Sequence, residues 1–433
     1  MADPDAPKEP RRPKRKVALM LGYRGTDFHG LQINPGMKTI EGTVFDALVK
    51  VGCVSAENSI NPNKVGLART ARTDAGVHAA INVLVIKLIL DPPSLPEGVT
   101  LVDHINAALP ESIRIWSIVR VQGAFNPRKL CDARTYLYYL PTYTLLPPPP
   151  GSALATMLAE QGEDAPSRPT DDAGDAFWRG IEASTDAAAV LAAQRGWRID
   201  AATLERLRGH ARRFEGSHNF HNFSPAAKFG DRSSQRNIRS ITVAEPVVAG
   251  GIEWVAIEVV GQSFMLNQIR KMIGLLALAV RTCTPASVIP ETFGPTKVHT
   301  PMAPSLGLLL DRPHFEQYNR KVAGNNSILA AQTADEDTLR EALEYGPELL
   351  QLVDDFKRSV ILERMWADEA ETNTFGSWTD KFNSSTSTDF KFCNRRGAVP
   401  LRTEPSRPAD EVEDEDARQM LAKGGRGLDE LEG

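Results

Sequence analysis

Cysteine is scarce in this 433-residue chain: Cys53, Cys131, Cys283 and Cys393 lie far apart, with no CxxC pair. That usage points to a reducing compartment without a disulfide framework and speaks against a cysteine-based zinc site. Long apolar runs are missing too. The longest beside an expected helix, Met272 to Val280, lies between Lys271 and Arg281 and is too short to cross a bilayer, so no membrane contact is expected. The N-terminus is proline-rich and charged, with no secretory signal in view. No Walker A, GxGxxG or GxSxG pattern occurs, which leaves phosphate-cradling and serine-hydrolase readings without support.

What is present is the composition of a globular protein, 42% hydrophobic and 24% charged, long enough for two or three domains with substantial cores. The net charge of −5 argues at first against a polyanionic partner. Its distribution reverses that reading. Residues 1–16 carry +3, residues 151–190 carry −6 and residues 404–433 carry −6, which leaves the remainder at +4. A mildly basic body with acidic excursions is compatible with binding nucleic acid.

One stretch, Leu67 to Ala80 (LARTARTDAGVHAA), concentrates Arg69, Arg72, Asp74, Gly76 and His78 just before an apolar run, Val83 to Leu90, that reads as a buried strand. A polar turn feeding a core strand holds Asp74 on a rigid element yet leaves it reachable. The flanking arginines favour its ionised form, as suits a nucleophile or base. On local pattern alone, a surface turn with an Arg–Asp pair is the better explanation of the stretch.

Along the chain, strands are expected at Val17–Gly22, Ile113–Val121, Arg134–Tyr143, Asn237–Val243, Ile252–Val260 and Gly307–Leu310. Helices are expected after Thr39 as N-cap, at Leu101–Leu109 and Ala201–Phe214, through LNQIRKMIGLLALAV with Ser263 as cap, and from Pro347 to about Ala370. The boundaries follow as a disordered basic tail (1–16), an α+β domain (17–146), an acidic, largely mobile insert (147–197), a second α+β domain (198–320), a helical extension (321–375) and a disordered acidic tail (376–433).

Three further features could carry chemistry. Tyr136, beside Arg134 in CDARTYLYY, has the spacing of strand packing, but an aromatic on a cleft wall also gives an everted base a stacking platform. Arg270 borders the apolar stripe of its helix, where a cation either snorkels or finds an anion such as Asp74. SHNFHNF (217–223) holds His218 and His221 three residues apart. Without a matching Cys/His cluster, its interleaved aromatics, Phe223 among them, and the following Lys228 suit single-stranded RNA better than zinc.

Taken together, these segments resemble one family. ARTDAGVHA is similar to the signature of the TruA-type tRNA pseudouridine synthases, in which that aspartate is catalytic. CDARTY and GQSFMLNQIRKMIG resemble the family segments that carry an active-site tyrosine and arginine, mapping to Tyr136 and Arg270. GSHNFHNF, PSLGLLLDRPHF and the helix over 353–370 resemble the eukaryotic tRNA pseudouridine synthase 1 branch. Departures are Ala75, Ile81 and Asn267, which stand where lysine, glycine and histidine are usual.

The resemblance implies an α+β fold: two α+β domains whose antiparallel sheets, flanked by helices, join into one continuous sheet around a central basic cleft. It implies isomerisation of uridine to pseudouridine in tRNA, with mRNA or small nuclear RNA as further candidate substrates, and no cofactor or metal. Asp74, Arg270 and Tyr136 are the implied catalytic residues. Tyr136, Arg72, Arg69, Arg134, His78, His221, Phe223 and Lys228 are the expected RNA contacts. A monomer is expected, in the nucleus, with mitochondrion or cytoplasm as further sites. A non-catalytic RNA-binding protein of the same fold and a carboxylate-dependent glycoside hydrolase are the alternatives; the latter needs a second facing carboxylate.

Overall fold

Strand β1 (Lys14–Tyr23) sends Val17, Leu19 and Leu21 into one core and Ala18 and Met20 into another, so both of its faces are covered. This is why it reads as a continuous apolar run and not as an alternating one. The computed structural model describes residues 12–169, 172–181, 186–225, 227–331, 339–385 and 390–400. After β1 come α1 (Ile40–Lys50), β2 (Ala68–Arg69), β3 (His78–Ile89), α2 (Leu101–Ala108), β4 (Ile113–Arg120) and β5 (Ala133–Pro141). Three helices follow, α3 (Ala153–Ala159), α4 (Ala173–Ile181) and α5 (Ala187–Gly196), then α6 (Ala201–Ala211). The second half adds β6 (Gly216–Asn219), β7 (Gln235–Val243), β8 (Val247–Ala249), β9 (Ile252–Gly261), α7 (Gln268–Arg281) and β10 (Leu308–His314). The chain continues with α8 (Glu316–Ala331), α9 (Pro347–Phe356), a π-helical turn at Lys357–Leu362, α10 (Glu363–Thr372) and α11 (Thr374–Asn383).

The ten strands among the described residues form one sheet in the order β4-β1-β3-β10-β5-β9-β7-β6, with β2 beside β3 and β8 beside β9. The expected continuous sheet flanked by helices is what the chain forms. Every pairing is antiparallel except one: β10 enters between β3 and β5 and runs parallel to β3, with Leu309 opposite His78. A strand from the end of the second half thus closes the seam at the middle of the sheet.

One face packs against α1 through Ile40, Val44 and Leu48, and against α7, whose residues are all buried except Lys271. The Thr39 hydroxyl caps α1 by accepting from Gly42 N at 3.2 Å, as expected. Gly274 in α7 is dictated by close approach, because a Cβ there would lie 1.8 Å from Pro301 O. The other face of β1 and β3 is covered by the C-terminal extension, through Phe315, Tyr318, Val353, Phe356 and Ile361.

Three expectations change. The 147–197 segment, expected to be mobile, is helical over most of its described length. Leu154 is fully buried, the Trp178 indole donates to Pro147 O at 3.0 Å, and Asp172 faces Arg168 and Arg206, each at 3.7 Å. Alanine-rich helices hold few large apolar residues, so their periodicity is weak although their helix propensity is high. The stretch after Gly376 is not all tail: α11 buries Phe375, Trp378 and Phe382, and Phe390, Phe392 and Cys393 are buried beyond it. Residues 401–433 lie outside the described residues, as do 1–11, while Lys14 already pairs with Ile89. Ser263 does not cap α7; the N-cap position is Asn267, at φ 61° and with no side-chain capping bond.

The aromatic anchor of α11 makes the second correction measurable. Phe375 is fully buried and meets Tyr138, Trp254 and Trp378 edge-on, at ring separations of 6.3, 5.9 and 6.4 Å. We expect Phe375→Ala to cost about 3–5 kcal/mol in urea unfolding. An unchanged midpoint would mean that α11 is an appendage.

Candidate active site

Asp74 sits in the turn that feeds β3, and each residue around it is tied down. Thr70 N donates to Val83 O at 2.9 Å, which seats the front of the turn on β3. The Tyr23 and Thr73 hydroxyls are 2.8 Å apart, and the buried Asn82 amide donates to Tyr23 Oη at 3.1 Å and Ala71 O at 3.0 Å. Behind Asp74, Val77 N returns to its carbonyl at 3.1 Å, closing a turn in which Gly76 takes φ 77°. The loop after β1 packs on top. Leu31 N donates to Thr73 O at 3.1 Å, and a Cβ on Gly30 (φ 80°) would sit 3.0 Å from the same oxygen. Asp74 is half-buried, rigidly placed and still reachable.

A cavity of about 240 Å³ opens at this turn, over the seam of the sheet. It brings together Arg72 and Asp74 from the turn, Tyr136 from β5, Phe264 to Arg270 around the start of α7, Leu308 at the start of β10, and His29 to Asn34 from the loop after β1. Asp74 is the one acidic residue among them. Tyr136 is held edge-on against Phe264, with ring centroids 5.1 Å apart. Burial pushes its phenol up to about 12, opposed by the Arg134 charge and reinforced by Asp74, so it remains a neutral O–H donor near pH 7. Arg270 is buried, and its Nε donates to Ala303 O at 2.7 Å while Ala303 N returns to Arg270 O at 3.1 Å. This anchoring replaces the snorkelling alternative: the guanidinium is held inside.

The other expected RNA contacts do not line this cavity. Arg69 is engaged by Glu41, a carboxylate buried on α1 that also accepts from Ile33 N at 3.1 Å. Burial raises the pKa of Glu41 against the opposing Arg69 charge, so the pair locks the cavity-lining loop instead of meeting phosphate. Arg134 is buried as well. Its Nη2 donates to Thr70 O at 2.7 Å and its Nη1 to Gln262 O at 3.0 Å, which ties the Asp74 turn to the segment leading into α7. His78 is buried at the start of β3, accepts from Gly25 N at 3.1 Å, and is lowered by burial to about 4. His221 and Phe223 are buried in the second half, Phe223 among the rings of Phe214, Phe220 and Phe293. RNA cannot reach these two without unpacking them. Lys228 is exposed, on a loop of the second half outside the cavity, next to Phe229 at 45% exposure. His218 stacks on Phe293 at 4.3 Å, and among the described residues no group of three or more His, Cys, Asp or Glu could hold a metal ion.

Loop 29–34, Phe264, Asn267 and Leu308 also line the cavity, and none of them is expected there from the sequence. For the loop a signal existed: YRGTDFHG holds two glycines, and Gly30 adopts positive φ where it meets the Asp74 turn.

Comparison with known proteins decides the family. Residues 210–316 match the family described as tRNA pseudouridine synthase. The chain is 36% identical to tRNA pseudouridine synthase 1 of Yarrowia lipolytica, over 88% of this chain and 77% of that one. It belongs to the tRNA pseudouridine synthase family. It is also 39% identical to tRNA pseudouridine synthase 1 of Saccharomyces cerevisiae, over 73% of this chain and 64% of the relative. With the Pseudouridylate synthase 1 homolog of Mus musculus it shares 34% identity, over 86% and 75%. The match at 210–316 covers Arg270, while Asp74 and Tyr136 lie before it.

Proposed function

We propose that this member of the family isomerises uridine to pseudouridine in tRNA with Asp74 as its catalytic carboxylate. The reaction breaks the N1–C1′ bond, forms a C5–C1′ bond, removes a proton from C5 and supplies one to N1. Atoms balance without a co-reactant. It asks for an ionised oxygen at the sugar–base junction, a pocket that retains the detached uracil, and a proton donor and acceptor.

The observation that carries the reading is the convergence of Asp74, Tyr136 and Arg270, from three distant segments, on one cavity. Arg270, anchored through Nε, brings a guanidinium into the same cavity as the carboxylate, a charge-assisted partner for it. The Tyr136 ring supplies a face for the uracil and its protonated hydroxyl a proton relay. Arg72, which lines the cavity, would meet a phosphate of the everted nucleotide, with exposed Lys228 and Phe229 as an outer contact. A glycoside hydrolase would use a second carboxylate, and the cavity lining has none beside Asp74.

The experiment uses tRNA tritiated at C5 of uridine. The chain is expected to release tritium and leave no free uracil. Free uracil would mean glycosidic cleavage, and neither product would mean a silent RNA-binding protein. Any uridine that can be everted suits the cavity, so mRNA and small nuclear RNA are proposed as further substrates. Because α8, α9 and the π-helical turn cover the sheet face of the first half, we propose a monomer. The basic stretch at 11–16 favours the nucleus.

A further inference from the structure

Asn267 carries two local costs at one position. It takes φ 61° and ψ 5°, a left-handed conformation that side chains adopt at the expense of strain. It is also the N-cap of α7, yet its side chain makes no capping hydrogen bond to the helix. An asparagine at an N-cap ordinarily accepts from the amide two or three residues on. Here Asn267 is 6% exposed, its Oδ1 is buried without a partner, and the residue lines the cavity that holds Asp74, Tyr136 and Arg270. The start of the helix is organised without it: Gln268 Oε1 accepts from Met265 N at 2.9 Å, and Lys271 N donates to the Asn267 carbonyl at 3.0 Å. A buried carbonyl oxygen with no partner is unfavourable unless something else supplies the donor.

We infer that Asn267 Oδ1 accepts the N3–H of the everted uracil and serves as the pivot about which the base turns. This rests on the proposed synthase activity and on the chemistry of the ring. To replace the N1–C1′ bond by C5–C1′, uracil must present C5 where N1 was. A half-turn about the axis through N3 and C6 does this. It exchanges N1 with C5, and the C2 carbonyl with the C4 carbonyl, and leaves N3–H where it began. An acceptor at N3–H is therefore satisfied before, during and after the turn. Contacts to either carbonyl alone are broken and remade. A single fixed acceptor in the cavity, held on a strained but well-packed cap, restrains the detached base to that axis and keeps it from leaving. The neighbouring Tyr136 and Phe264 rings are the apolar walls against which it turns.

The test separates this role from a merely conformational one. Glycine adopts positive φ without strain, so Asn267→Gly keeps the geometry of the cap while deleting the side chain and its acceptor. Wild type and variant are compared in single-turnover pseudouridine formation on tRNA, and again on the same tRNA with N3-methyluridine at the target position. The variant is expected to bind tRNA as the wild type does and to melt no lower. Its rate on normal tRNA should fall by about 10- to 100-fold, the loss of one buried hydrogen bond to substrate. N3-methylation should slow the wild type strongly and the variant little, because the variant has no acceptor left to lose and gains room. A variant as fast as the wild type, or two proteins slowed by the same factor on N3-methyluridine, overturns the role of Asn267 alone. A wild-type chain that forms no pseudouridine overturns the activity itself, so the two failures are distinct.

Discussion

Asp74→Asn is expected to form no measurable pseudouridine while binding tRNA close to normally. The substitution keeps the shape of the side chain and the turn that presents it, because Val77 N and Leu31 N contact the backbone of Asp74 and Thr73 and not the carboxylate. What it removes is the negative oxygen. An amide neither attacks C1′ nor takes a proton from the ribose, so the chemical step should slow by about 10⁴-fold or more. Tritium release from C5-labelled tRNA reads that step, and filter binding reads affinity. Release at the wild-type rate would remove Asp74 from the mechanism. A loss confined to affinity would turn it into a binding residue.

The second large effect is expected at Arg134, for a reason opposite to the one its position in CDARTY suggests. Were it a phosphate contact, Arg134→Lys would keep its charge, and any loss would appear in tRNA affinity alone. Buried between Thr70 O and Gln262 O, it instead ties the Asp74 turn to the segment that leads into α7 and Arg270. A lysine ammonium on a single stem reaches one of these carbonyls and leaves the other without its donor. We expect the fold to lose about 1.5–3 kcal/mol. Turnover should fall on the order of 100-fold, as the two halves of the cavity drift out of register, with affinity and salt slope unchanged. Unaltered turnover and stability with weakened tRNA binding would restore the phosphate-contact reading.

How much of this was legible depended on the kind of signal. Strands buried on both faces, such as β1 and β3, are readable because continuous apolar runs of that length have few other uses. The start of α1 is readable because Thr39 is an N-cap by chemistry, and its hydroxyl does that work. Helices α3 to α5 were missed because alanine leaves little periodicity. Helix α11 was missed because Ser, Thr and Asn around Phe375, Trp378 and Phe382 look like linker until the buried rings find Tyr138 and Trp254.

At the site, the residue types were legible and their assignments were not. Arg69, Arg72 and Arg134 are one chemical group three times over in the chain. Their surroundings divide them into a partner for buried Glu41, a cavity-lining cation and a tie between two carbonyls. Nothing within a few residues of each distinguishes them. His78 and Phe223 looked like contacts because polar and aromatic residues gather there, yet both are packed away from solvent.

By itself, then, the sequence determined the alternation of strands and helices, the buried faces and the presence of an aspartate, a tyrosine and an arginine in recognisable settings. These are set by neighbours along the chain: apolar spacing, capping side chains and short motifs. Only the tertiary structure decided that β10 closes the seam beside β3, which of Arg69, Arg72 and Arg134 meets the cavity, and that Asn267 leaves a buried oxygen without a partner beside it. Those depend on partners tens to hundreds of residues distant, because burial and hydrogen-bond satisfaction are properties of the packed chain and not of any window within it.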